Sequence, residues 1–179
     1  MPYDLFAHRH NFSVWAAARA AQRGFTSVDN LRDALEQCGI TDFLQQPNAL
    51  DTSAEQFQHL HRAWCGSIQD FLNKRGVANS TYGRAAKLIA VYLKAMVVIA
   101  QPEPSLLANV AHPPIDRILL QNLATAPEVH SLYKTQWREV SWTQLDAKQY
   151  YALVSQLRAV LPPNAPFWML EQYWTVTNE

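Results

Sequence analysis

Apolar residues recur at three- and four-residue steps along almost the whole chain, the spacing of one face of an α-helix. No stretch alternates apolar and polar residues as a half-buried strand would. The pattern predicts a first helix from about Asn11 to Arg23, with Phe12, Trp15, Ala16 and Ala20 on its buried side and Gly24 as its stop. Ser27 then caps a second helix that buries Leu31, Ala34, Leu35 and Cys38 and closes at Gly39. A loop containing Pro47 runs from Phe43 to Thr52. Ser53 with Gln56 reads as a capping box for a long third helix, whose inward positions are Phe57, Leu60, Trp64, Ile68, Phe71 and Leu72, ended by Gly76. Thr81 caps a fourth, the most hydrophobic, reaching about Ala100 with Leu88, Ile89, Tyr92, Met96 and Ile99 inward. The run Gln101-Pro102-Glu103-Pro104 breaks it, and a short turn follows from Ser105 to Val110.

Pro113-Pro114 suits the first turn of a fifth helix through Ala124, which turns Ile115, Ile118, Leu119 and Leu123 inward. The segment around Trp137 and Trp142 reads as part helix and part loop. Thr143 and Asp146 start a helix with Leu153, Val154, Leu157 and Val160 inward, stopped by Pro162-Pro163. Asn164 and Pro166 open a last, aromatic helix from Phe167 to Trp174. The expectation is a single compact all-α domain over 1–179, with an N-terminal lobe 1–76 and a C-terminal lobe 77–179 that form a cleft.

Composition changes this picture little. With 179 residues, 49% of them hydrophobic, the chain has ample material for a core. Fifteen basic and fifteen acidic residues cancel, so any nucleic-acid surface must be a local patch. Cys38 and Cys65 lack metal-ligand spacing and read as buried thiols in a reducing compartment. The longest apolar run, Leu88 to Ala100, is interrupted by Lys94 and is too short to span a bilayer. Tyr3-Asp4-Leu5 leads into charged residues rather than a signal-peptide pattern, so a soluble, cytoplasmic protein is expected. His8/His10 and His59/His61 are spaced i, i+2, which on a helix points the rings apart, and no metal site or cofactor is expected.

Candidate chemistry concentrates in Thr81-Tyr82-Gly83-Arg84-Ala85-Ala86-Lys87 and in His112-Pro113-Pro114-Ile115-Asp116, with Asp116 29 residues beyond Lys87. A lysine amine can attack a sugar carbon, and a carboxylate can manage protons or stabilise a developing cation. Arg84, Lys87 and Lys94 fall near one helical stripe, beside apolar neighbours that place Lys87 at the edge of the core, where partial burial lowers an amine's pKa. A bland reading stands beside this one. The stripe is also what a solvated basic face looks like, and Asp116 is also a carboxylate favoured at a helix N-terminus.

Gly83-x-x-x-Lys87 followed by a helix and Pro-Ile-Asp116 resembles the helix-hairpin-helix DNA glycosylase superfamily, nearest to its 8-oxoguanine glycosylase branches. The resemblance covers about Thr81 to Leu120. It implies a helix-hairpin-helix glycosylase-like fold, with Lys87 attacking deoxyribose C1′ to form a Schiff base and Asp116 assisting base loss. It further implies DNA as partner, a damaged or modified base as substrate, strand cleavage by β-elimination as a following step, and a monomer acting in base-excision repair or against modified phage DNA. His112, Phe167, Trp168, Tyr173 and Trp174 would wall the base pocket, and Gly83, Arg84, Lys94 and Arg117 would contact phosphates. This chain departs from the family in four ways. It has one hairpin glycine where two are usual, a longer gap between lysine and aspartate, a shorter chain and no four-cysteine cluster. Those departures describe a divergent, minimal relative. The alternative is a non-catalytic α-helical interaction or regulatory module, which makes Lys87 and Asp116 separate and dispensable.

Overall fold

The computed structural model describes residues 3–100 and 103–175, and among them every regular element is helical. Nine α-helices follow in order among the described residues: α1 Leu5–Gln22, α2 Val28–Gln37, α3 Ile40–Leu44, α4 Ala54–Lys74, α5 Tyr82–Leu93, α6 Leu106–Val110, α7 Arg117–Leu123, α8 Ser131–Glu139 and α9 Ala147–Arg158. Short 3₁₀ turns lie at Ala49–Asp51, Trp142–Gln144 and Phe167–Tyr173. One contiguous set of buried side chains runs from Val14 to Leu170. None of the described helices is long and apolar enough to cross a membrane.

Capping chemistry sets most of the boundaries. Ser27 accepts from the Asn30 N–H, Ser53 and Gln56 close a reciprocal box, and Asp146 does the same with Gln149. Gly24, Gly39 and Gly76 take the left-handed backbone that ends α1, α2 and α4. The chain turns from α4 to α5 within Arg75 to Thr81, using left-handed Gly76 and Asn79.

Helix α5 is the axis of the fold: α1 and α4 pack along it, and ten of its twelve residues are buried. Several expectations differ from the structure. Helix α1 begins at Leu5 under an Asp4 cap, and its buried side is Ser13, Val14, Ala17, Ala18 and Ala21, whereas Phe12 and Trp15 are 56% and 52% exposed. Small side chains let α1 lie close against α5, which carries buried Ala85, Ala86 and Ala90 of its own. Ile99 is 67% exposed because a π-helical turn at Lys94–Val98 follows α5; the wider turn adds a residue and rotates Ile99 off the Met96 face.

A further difference concerns the prolines. Pro113 and Pro114 precede α7 in a buried, extended segment, and Asp116 is the N-cap itself, accepting from the Leu119 N–H. The loop expected from Phe43 to Thr52 and the turn from Ser105 to Val110 hold the short helical pieces α3, Ala49–Asp51 and α6. The aromatic helix at the C-terminal end is a 3₁₀ turn, Phe167–Tyr173. Of the break expected at Gln101 to Pro104, Gln101 and Pro102 lie outside the described residues.

Candidate functional site

Lys87 sits in the second turn of α5, and Asp116 caps α7 at the end of the His112–Ile115 segment, so two well-fixed helix ends deliver the pair to one point. Lys87 Nζ lies 2.6 Å from Asp116 Oδ2, and the two side chains are only 6% and 4% exposed. Asp116 is held from three sides, because Leu119 N–H donates to Oδ1 at 3.0 Å and Trp174 Nε1–H to Oδ2 at 3.0 Å. Burial pushes the Lys87 ammonium below the usual lysine range, and the Asp116 charge offsets only part of that. Burial alone would raise Asp116. The Lys87 charge and the two N–H donors outweigh it and hold the carboxyl below its usual range.

This pair adjoins open space. A cavity of about 250 Å³ is lined by Lys87, Val91, Ala95, Pro114 and Trp174, with Phe12 and Ile99 at its exposed mouth. Its polar elements other than Lys87 are Lys94 and Glu171, which pair with each other, and the Lys94 ammonium also stands 5.8 Å from the Trp174 ring. On the opposite side of Lys87 lies the Trp142 ring, 5.7 Å from Nζ. The site is therefore an amine and a carboxylate at the wall of an apolar chamber large enough for a flat organic group.

The residues expected to wall a base pocket fall into two groups. Trp174 lines the Lys87 cavity, while His112 and Phe167 pack edge-to-face at 5.5 Å around a different one. Tyr173 reaches outward to donate to Glu128, and Trp168 is half-buried without lining either cavity.

The phosphate set divides as well. Gly83 N–H donates to the Leu145 carbonyl at 3.0 Å, and a side chain at 83 would overlap the Trp142 carbonyl oxygen. The Gly83 amide, expected to contact a phosphate, is here bonded to the Trp142–Leu145 turn. Arg84 lays its guanidinium over the Phe25 ring at 4.0 Å, with Nε and Nη1 enclosed and unpartnered among the described residues. Lys94 is committed to Glu171, and Arg117, beside Asp116, is exposed.

Sequence reasoning missed a second polar cluster next to this site. His61 and His112 face each other at 4.7 Å between ring centres, and Tyr82, Tyr150 and Tyr151 surround them. The Tyr151 hydroxyl lies 2.9 Å from His61 Nδ1, and the Tyr150 hydroxyl 3.0 Å from His112 Nδ1. Burial keeps both imidazoles neutral, pulling His112 down to about 3 and His61 well below its ordinary value. A signal was present: His61 falls on the same stripe of α4 as Phe57, Trp64 and Ile68. Cys38 and Cys65 are buried free thiols, and burial raises both, Cys38 to about 11. No group of three or more His, Cys, Asp or Glu among the described residues is placed to hold a metal.

No protein-family model matches this chain, and neither the curated proteins nor the solved structures give a significant match, so its assignment rests on its own residues.

Proposed function

We propose that this chain is a DNA N-glycosylase that removes a damaged or modified base by attack of Lys87 at deoxyribose C1′, with β-elimination from the resulting imine as its lyase step. The observation that carries the reading is the buried Lys87–Asp116 contact at the wall of the apolar cavity. The helix–turn–helix from α4 to α5 and the order of the lysine and aspartate motifs support it.

In this mechanism the base enters the cavity and C1′ stands over Lys87. The N-glycosidic bond breaks with its electron pair leaving on the base, which takes up the proton that the Lys87 ammonium sheds. The freed amine forms the bond to C1′; the C1′–O4′ bond then breaks with its electron pair going to O4′, which takes a proton from that nitrogen, and the imine results. A lowered lysine pKa makes that proton loss easier. Asp116 stays ionised throughout. The carboxylate that balances the ammonium in the free protein balances the cationic sugar as the base departs. Its two N–H donors keep it in place during that exchange.

The competing reading is a non-catalytic helical interaction module in which the pair is structural. Its supporting observation is the near-complete burial of the pair together with the occupied Gly83 amide. A screen of duplexes and single strands carrying modified bases separates the two. Base release is expected from the wild-type chain and is lost in Lys87→Gln and Asp116→Asn. Release retained in both variants overturns the glycosylase.

A further inference from the structure

A second cavity, of about 340 Å³, shares no lining residue with the one that Lys87 lines. Its walls include the rings of Phe57, Tyr151 and Phe167, and its polar groups include His112, Ser155 and Arg158. No acidic side chain lines it. The Arg158 side chain makes no ion pair or hydrogen bond among the described residues, and its guanidinium stands over the Phe167 ring at 5.2 Å. Burial lowers its pKa, as expected of a charge set against apolar walls without a counter-ion.

His112 is about nine-tenths buried and flanks the same Phe167 ring. The Tyr150 hydroxyl lies 3.0 Å from His112 Nδ1 and has no other hydrogen-bond partner among the described residues. Nε2 has no partner among the described residues, and in the tautomer whose Nδ1 accepts from Tyr150 it is an N–H donor at the cavity. The first residue of α4, Ala54, also lines the cavity, bringing the positive end of a 21-residue helix to it. Flat apolar walls therefore surround a fork of guanidinium donors, an imidazole N–H and a hydroxyl, all with positive or neutral character. A phosphate offers three acceptor oxygens to such a set, and a flat ring attached to it packs against the apolar lining.

We propose that this cavity binds a phosphomonoester carrying a flat ring, a 5′-nucleotide unit held by Arg158, His112 and Ser155 with its ring against the apolar lining of the cavity. The site stands independently of the reading of Lys87. Two sources share this chemistry, a free mononucleotide and the 5′-phosphorylated end of a strand.

Calorimetric titration of the full chain with 2′-deoxyadenosine 5′-monophosphate, deoxyadenosine and inorganic phosphate tests it. The nucleotide is expected to bind at least tenfold tighter than either fragment. Arg158→Gln is expected to weaken it at least tenfold, and Trp15→Ala, at an exposed position outside both cavities, to leave it unchanged. Shifts of the His112 imidazole resonances during the same titration of the wild-type chain give a readout that needs no variant. Equal binding of a 5′-phosphorylated tetranucleotide and the mononucleotide assigns the free nucleotide as occupant. Tighter binding of the phosphorylated strand than of its 5′-hydroxyl form assigns the strand end. The proposal is overturned if the nucleotide fails to bind at millimolar concentration, if Arg158→Gln binds as wild type, or if the His112 resonances stay still.

Discussion

Two buried polar clusters lie side by side in this protein and solve the same physical problem in opposite ways. The Lys87–Asp116 site keeps two full charges out of water and satisfies them with one another and with the Leu119 and Trp174 N–H groups. The His61–His112 cluster keeps its groups neutral and satisfies them with tyrosine hydroxyls. Holding charge in the interior is costly, and proteins retain it where the charge serves a purpose; neutral networks serve packing and orientation. The difference is why the proposed chemistry is placed at Lys87 and Asp116 rather than at the histidines. The histidine cluster also ties α4 and α9 to the His112–Asp116 segment that ends in the carboxylate.

The comparison breaks first at the charged pair. Lys87→Met strands the Asp116 carboxylate without its counter-ion and is expected to cost about 3–5 kcal/mol in denaturant unfolding. A double variant that also replaces Asp116 with Leu should cost less than the two single changes together, because no lone charge remains. If both single changes cost under ~1 kcal/mol, the pair is not the buried ion pair described here.

The neutral cluster should fail with acid instead. The folded imidazoles stay neutral, while in the unfolded chain a histidine takes a proton near pH 6.5. Below that pH the unfolded state binds more protons, so stability is full above about 6.5 and falls as the pH drops, until His112 itself protonates near 3. The slope should reach about 1.4 kcal/mol per pH unit for each histidine. Unfolding midpoints measured between pH 7 and 4 check it. His112→Phe should reduce the slope by about half.

Gly83→Ala sharpens the picture from the packing side. The added methyl meets a backbone oxygen rather than a flexible side chain, so a loss of about 1–3 kcal/mol is expected. Smallest of all should be Trp15→Ala, within about 0.5 kcal/mol, since the ring is half-exposed on the outer side of α1. Thermal unfolding of both variants distinguishes them; equal losses contradict the assignment of the α1 and α5 faces.

Much of this was written in local chemistry. Ser27, Ser53, Thr81 and Asp146 marked helix starts because a cap is a contact within three residues. Lys87 and Asp116 were legible because their motifs are short and each sits at a capped helix end. What could not be read depends on distant partners. Phe12 and Trp15 looked like core because periodicity alone does not show that α5 admits only small side chains alongside it. The occupied Gly83 amide needed the Trp142–Leu145 turn, about 60 residues away in the chain. The pairing of His61 with His112 joins α4 to the segment before α7, a contact that no single stretch of sequence encodes.

The central claim is that Lys87 is a nucleophile toward a sugar carbon. Its most direct test is borohydride trapping on DNA carrying an abasic site or a modified base, followed by peptide mapping of the adduct. The account predicts a covalent DNA–protein adduct at Lys87 that disappears in Lys87→Gln. An adduct mapped to another lysine, or none on any substrate, would contradict it.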